Sequence, residues 1–250
     1  MKAFLNKYWK YLLVFTLAGL IGTLLIGESL LDVYPPELQE EIFSQGIDKI
    51  TIIIVTALQY AGYGLILGVL GIILAKNIGL WYDKLSIELK STVFAMVVGI
   101  VAGSAMILFD ALWFGKVVEA IADSYLVKPT ALAVIGYMTL GGIVEEVMLR
   151  LFTMSLVVFL LNKIVKDCKN SEIIFVIANV ISAILFAAGH LPLTQILFGL
   201  TPLVVFRCFL LNGGIGLLFG RLYRKYGIHY AMIAHAMCHL VSKLIWIIFI

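Results

Sequence analysis

The sequence predicts an all-α fold, a polytopic bundle of transmembrane helices, from its composition and from the length of its apolar stretches. Hydrophobic residues make up 62% of the 250 residues and charged residues only 13%, whereas soluble domains carry about 25% charged residues. The mean hydropathy is +1.08. This much apolar surface indicates a lipid bilayer as the surroundings. It excludes a soluble enzyme, a nucleic-acid-binding protein and a disordered chain.

About seven apolar stretches are long enough to span a membrane, which takes about 20 residues. An eighth apolar segment, residues 193–205, follows Pro192 and contains Pro202, so we expect it to be short or re-entrant. No repeat or long linker divides the chain, and residues 1–250 are therefore expected to form one membrane-embedded domain. The predicted spans are residues 11–27, 50–75, 92–114, 131–161, 172–191, 203–220 and 228–250.

The basic residues predict the orientation of these spans, because cytoplasmic loops carry an excess of Lys and Arg. With a cytoplasmic N-terminus, twelve basic residues fall in cytoplasmic segments and only Lys49, Lys116 and Lys128 fall on the other side. We therefore expect an integral protein of the cell membrane with its N-terminus in the cytoplasm. The twelve are Lys2, Lys7, Lys10, Lys76, Lys84, Lys90, Lys163, Lys166, Lys169, Arg221, Arg224 and Lys225.

Six ionisable side chains lie within three of the predicted spans, where loops cannot explain them. A charge at the bilayer centre costs about 2.5–3.5 kcal/mol on insertion scales, so such residues usually face a polar interior and have a function. The fourth span contains Glu145, Glu146 and Arg150, the fifth ends at His190, and the seventh contains His235 and His239.

The spacing of these residues predicts different tasks for the two carboxylates. Glu146 and Arg150 are four residues apart, so on a helix they share a face and can pair. Glu145 points about 100° away and stays available as a base. A carboxylate in a low-dielectric site is suited to activate a water molecule, and histidines can share that water or donate to an oxyanion. The pattern indicates peptide-bond hydrolysis inside a membrane.

The order of the motifs resembles the CAAX prenyl protease and bacteriocin-processing family, which includes type II CAAX endopeptidases and abortive-infection-like proteins. The resemblance covers residues 141–240, and a family-like catalytic core is expected at residues 131–240. A glycine-spaced segment, residues 213–227, resembles the segment that precedes the last motif of the family. The three motifs are Glu145-Glu146-x-x-x-Arg150, Phe186-x-x-x-His190 and His235-x-x-x-His239.

The resemblance implies a metal-independent intramembrane glutamate protease that needs no cofactor. It implies Glu145 as the general base that activates water, His190 as its partner and His235 as a group that stabilises the oxyanion. His239 stands where the family usually has Asn, and its imidazole can still donate a hydrogen bond. The implied supporting residues are Glu146, Arg150 and Phe186.

The substrate implied by the resemblance is a membrane-associated protein or peptide. A prenylated CAAX-type C-terminus and a bacteriocin or pheromone precursor are the alternatives, and the sequence does not decide between them. A non-catalytic membrane protein, a scaffold or a bacteriocin-immunity protein, also fits the chain, because His239 departs from the motif.

Zinc is the alternative mechanism for the same residues. His235 and His239 have the spacing of a helical zinc pair, and Glu145 or His190 completes a set of ligands. Against zinc, Ala236 stands where zinc proteases with this spacing carry Glu. Lys243, eight residues after His235, is expected to extend towards the membrane surface or to assist a substrate carboxylate.

Overall fold

The computed structural model describes residues 2–32, 34–81, 87–165 and 168–250. Within these ranges every regular element is helical, which confirms the all-α bundle. Lys84 and Lys166, two residues that support the predicted orientation, lie outside the described residues. The α-helices are α1 (Lys2–Asp32), α2 (Pro36–Ser44), α3 (Lys49–Asn77), α4 (Leu89–Phe109), α5 (Gly115–Val117), α6 (Glu119–Asp123), α7 (Ala131–Thr139), α8 (Ser155–Ile164), α9 (Glu172–Gly189), α10 (Leu191–Phe198), α11 (Pro202–Cys208), α12 (Ile215–Tyr226) and α13 (Ile228–Phe249).

In the described part of the chain, four π-helical segments, in which the turns are wider than in an α-helix, join some of these helices. π-Helical turns are rare and are frequent at functional sites. Two of them link α7 to α8 through the acidic residues of the fourth predicted span. The four segments are Asp110–Phe114, Leu140–Glu145, Val147–Met154 and Phe209–Gly214.

Six helical stretches among the described residues are long and apolar enough to cross a membrane, and they indicate an integral, multi-pass membrane protein. The cytoplasmic position of the N-terminus stays a prediction. The count is one lower than the predicted seven. The fourth predicted span runs without a break from α7 to α8 but is not among the six. The six are Lys2–Gly27, Lys49–Asn77, Leu89–Val117, Glu172–Phe198, Pro202–Tyr226 and Ile228–Phe249.

Residues 193–205, the segment expected to be short or re-entrant, are divided between the stretches Glu172–Phe198 and Pro202–Tyr226. Its first part forms the short helix α10, which continues α9 after a break at His190, with Pro192 in its first turn. Gly199 then adopts a φ of 70° and ends α10. Pro202 starts α11, where a residue without an N–H group is tolerated.

Large apolar side chains cover much of the outer surface of the bundle. On α3, Ile50, Leu58 and Ile66 are 68%, 61% and 60% exposed. In water this surface would drive aggregation, whereas lipid tails provide a matching apolar solvent. The exposed face of α3 therefore agrees with a helix that contacts the bilayer.

Close packing against α4 sets the position of α13, the helix that carries two of the predicted site histidines. Gly99 and Gly103 of α4 lie against the backbone carbonyls of Ala234 and Cys238, and a Cβ atom at either glycine would overlap a carbonyl oxygen. Small residues four apart allow helix backbones to approach closely in a membrane. This contact holds α13 in register with the rest of the bundle.

Candidate active site

The two adjacent carboxylates lie where two π-helical segments meet. One segment ends at Glu145, the next begins at Val147, and Glu146 between them keeps α-helical geometry. The two side chains diverge. Glu146 is completely buried, whereas the side chain of Glu145 is 24% exposed. The structure therefore places one carboxylate inside the bundle and leaves the other accessible.

Glu146 lies at the centre of a buried ion cluster. Its Oε1 atom is 2.9 Å from Nη1 of Arg150 and 2.8 Å from Nδ1 of His235. Arg150 is 1% exposed, and its Nη2 donates a hydrogen bond of 2.8 Å to the carbonyl oxygen of Gly216. The pairing of Glu146 with Arg150 that the spacing predicts is present. His235, from a distant part of the chain, completes the cluster.

Two phenylalanine rings enclose this cluster. The guanidinium of Arg150 lies 5.0 Å from the centre of the Phe186 ring and 5.7 Å from that of Phe219. The Phe219 ring also stacks on His235, with 4.6 Å between ring centres. Such contacts stabilise a desolvated cation and fix the plane of the imidazole. Phe186 is a residue that the sequence motifs predict, whereas no motif predicts Phe219, which lies within the glycine-spaced segment.

The contact with Glu146 determines which nitrogen of His235 carries hydrogen. When Glu146 is ionised, its carboxylate only accepts hydrogen bonds, and Nδ1 of His235 is then the donor. Its Nε2 atom faces Glu145, 3.8 Å from Oε2. In the neutral ring Nε2 can only accept a proton or bind a metal, and in the charged ring it is a donor. Stabilisation of an oxyanion by this atom therefore requires the charged ring.

His239 lies beside His235 and closes one side of the site. The two imidazoles stack with 5.0 Å between their centres, and the ring of Tyr137 stacks with that of His239 at 6.2 Å. The Nε2 atom of His239 is buried and has no hydrogen-bond partner among the described residues. A Cβ atom at Gly141 would overlap that nitrogen. The site therefore depends on Gly141 and Tyr137, whose contributions the sequence reasoning missed.

One ligand atom from each of Glu145, His235 and His239 lies within 4.8 Å of the others. His190 is not part of this group. Its Nδ1 atom is 2.8 Å from the carbonyl oxygen of Phe186, and its ring packs edge-on against that of Phe186 at 4.8 Å. No carboxylate of the described residues forms an ion pair with His190. The structure therefore connects His190 to the cluster through Phe186.

Residues 127–241 match the family model of type II CAAX prenyl endopeptidase Rce1-like proteins. No curated protein and no solved structure matches the chain. The matched segment begins after α6 and ends within α13, so it contains every residue of the ion cluster and both histidines beside it.

Proposed function

Because residues 127–241 match the family model of type II CAAX prenyl endopeptidase Rce1-like proteins, we propose that the chain hydrolyses a peptide bond of a membrane-associated protein or peptide with water activated by Glu145. The family indicates a protease, whereas the mechanism and the residue roles are our proposal. One observation carries it. Of two adjacent carboxylates, Glu146 is buried in an ion cluster and Glu145 is accessible beside two histidines.

Glu145 acts as the general base in this proposal. Its carboxylate accepts a proton from a water molecule while the water oxygen attacks the carbonyl carbon of the substrate. The same carboxyl then gives the proton to the amide nitrogen as the C–N bond breaks, so Glu145 ends the cycle ionised. A positioned acid–base group contributes about 10²–10⁴-fold to the rate of such a reaction.

His235 and His239 stabilise the oxygen of the tetrahedral intermediate. A charged His235 makes the cluster of Glu145, Glu146, Arg150 and His235 neutral overall, which suits a low-dielectric interior. Its Nε2–H then points into the site. The Nε2 atom of His239 lies beside it with no described partner and supplies the second donor when that nitrogen carries hydrogen.

His190 orients the attacking water. Because its Nδ1 donates to the Phe186 carbonyl, its Nε2 is an acceptor in the neutral ring. That atom can hold the second hydrogen of a water whose first hydrogen is bound by Glu145. The Phe186 ring also contacts Arg150 and lies 5.9 Å from the ring of His235. Phe186 therefore supports the ion cluster as well as His190.

The proposed function is tested by cleavage of defined peptides in proteoliposomes, followed by mass spectrometry. The panel contains an S-farnesylated peptide with a CAAX-type end, the same peptide without the lipid, and an apolar leader-type peptide. We expect the parent protein to cut at least one of them, and His190→Ala to lower kcat/KM by about 10²-fold. If no peptide is cut, the non-catalytic scaffold or immunity role replaces the protease. If His190→Ala cuts like the parent, the role of His190 is wrong.

Zinc-dependent hydrolysis is the second candidate, because three side-chain atoms that can bind a metal ion lie close together. Catalytic zinc sites use three protein ligands and one open position, and their histidines commonly donate to a carboxylate behind them. Glu145, His235 and His239 supply three ligand atoms, and Glu146 holds Nδ1 of His235. The residues therefore fit a zinc ion, which would lower the pKa of a bound water to about 7.

Chelation separates the two mechanisms. We expect 1,10-phenanthroline to leave kcat/KM unchanged within about twofold, since Glu145 alone supplies the base. Elemental analysis of the purified protein is expected to find far less than one zinc ion per chain. Activity that is lost on chelation and restored by zinc, together with about one zinc ion per chain, would establish the metal-dependent mechanism.

A further inference from the structure

Residues 140–154, which carry the two carboxylates and which we call the acidic segment, receive a hydrogen bond from a hydroxyl group of another helix. Oγ of Ser182, in α9, donates a hydrogen bond of 2.7 Å to the carbonyl oxygen of Leu149. Ser182 is buried, so solvent does not compete for this bond. Among the described residues, no other hydrogen bond joins α9 to the acidic segment. The carbonyls on either side of Leu149 have donors from their own stretch of chain, Thr153 for Met148 and Ser155 for Arg150.

This bond joins the two arms of a helical hairpin. α9 packs against α8 and against the acidic segment that precedes α8. At the turn of the hairpin, Nδ2 of Asn162 donates a hydrogen bond of 2.8 Å to Oδ1 of Asn170. Leu149 and Ser182 lie about equally far along the chain from that turn, one on each arm. The hairpin is therefore held by hydrogen bonds at its turn and again close to the candidate active site.

Two proposed reacting groups lie just beyond this bond, one on each arm. Glu145 is four residues before Leu149. His190 is eight residues after Ser182 and therefore about 12 Å further along α9. No hydrogen bond or ion pair joins Glu145 to His190 in the described residues. Their separation therefore depends on how far α9 is displaced along the other arm of the hairpin.

The hydrogen bond of Ser182 restricts this displacement more closely than the aromatic contact next to it. Ser182, Phe186 and His190 are spaced four residues apart and lie on one side of α9. The Phe186 ring contacts the guanidinium of Arg150 at 5.0 Å, and contacts of this kind persist to about 6 Å. A hydrogen bond, in contrast, is lost once donor and acceptor are about 3.6 Å apart.

We propose that Ser182 is a positioning residue for the proposed hydrolysis. Its bond to the carbonyl of Leu149 fixes α9 along the acidic segment, and this places His190 at a distance from Glu145 that one water molecule spans. The inference rests on the proposed protease function and assigns it a further residue. Ser182 is buried against the acidic segment and acts through His190, without contact to the peptide.

Steady-state cleavage of the peptide that the parent protein cuts best tests this role. We expect Ser182→Ala to lower kcat roughly tenfold, because a misplacement of about 1 Å in a reacting pair can cost about 10²-fold. KM should change less than about twofold, since no contact with the peptide is lost. The melting temperature should fall by about 2 °C, because hydrogen bonds between helices in a membrane contribute little on average.

A double substitution shows whether Ser182 acts through His190. In the His190→Ala protein the positioned ring is absent, so adding Ser182→Ala is expected to lower kcat less than about twofold further. An equal loss in both backgrounds means that Ser182 acts elsewhere and overturns the proposal. Thr23→Val is the matched control, because it removes a buried hydroxyl that donates to the carbonyl of Gly19 within α1. It should keep the parent kcat, and a loss as large as that of Ser182→Ala also overturns the proposal.

Nuclear magnetic resonance of protein labelled with nitrogen-15 in its histidines tests the position of His190 without a substrate. The chain has four histidines, and the ring signals of His190 are those that His190→Ala removes. We expect Ser182→Ala to shift these signals and Thr23→Val to leave them unchanged. His190 signals that stay in place in Ser182→Ala contradict the proposal, whereas a parent protein that cleaves no peptide contradicts the proposed function alone.

Discussion

Glu145→Gln is expected to lower kcat by about 10²–10⁴-fold, because the amide cannot accept the proton of the attacking water. The fold should persist. The contact of Glu145 with His235 is long, at 3.8 Å, and the side chain is partly accessible. The measurement is single-turnover cleavage of the peptide that the parent protein cuts best, with the melting temperature recorded for both proteins.

Glu146→Gln, at the adjacent residue, is the comparison for Glu145→Gln. It alters the buried carboxylate of the ion cluster, so its main effect is expected on the melting temperature. Glu145→Gln, in contrast, should change the rate and not the melting temperature. If Glu145→Gln cleaves at the rate of the parent, Glu145 is not the base. If it unfolds the protein, the carboxylate is structural.

Arg150→Met is expected to lower the free energy of unfolding by about 3–5 kcal/mol, because it leaves Glu146 buried with only His235 as a partner. Arg150 and Glu146 are 1% and 0% exposed, so solvent cannot compensate for the lost cation. The side chain also loses its hydrogen bond to Gly216 and its position over the two phenylalanine rings. Thermal unfolding in detergent measures the effect.

A matched control and a double substitution complete the test of Arg150. Arg221→Met breaks the exposed pair with Glu172, whose side chains are 67% and 56% exposed, and should cost less than about 1 kcal/mol. Glu146→Gln combined with Arg150→Met removes both charges and is expected to be more stable than Arg150→Met alone. A small effect of Arg150→Met, comparable to that of Arg221→Met, would contradict the role of the buried cluster.

The helices were largely predictable because hydropathy depends only on local composition. The predicted stretch 50–75 lies within α3, and 228–250 overlaps α13 almost completely. The fourth predicted span differs because hydropathy does not report backbone geometry. Residues 140–154 form wide π-helical turns around Glu146, and nothing in an apolar pattern distinguishes such turns from an α-helix.

The candidate site was predictable where it depends on spacing within one helix. Glu146 and Arg150 pair because residues four apart are neighbours. The contact of Glu146 with Nδ1 of His235 was not predictable, since it depends on how α13 packs against a distant segment. The rings of Phe219 and Tyr137 are further examples, because an aromatic residue in an apolar helix gives no sign that it stacks on a histidine.

The most direct test of the central claim follows the oxygen of the attacking water. The parent protein and Glu145→Gln are each incubated with the S-farnesylated peptide in water enriched in oxygen-18, and the products are examined by mass spectrometry. Hydrolysis with Glu145 as the base predicts one heavy oxygen in the new carboxyl end for the parent and no product for Glu145→Gln within the same time. Labelled product formed equally well by Glu145→Gln would contradict the account.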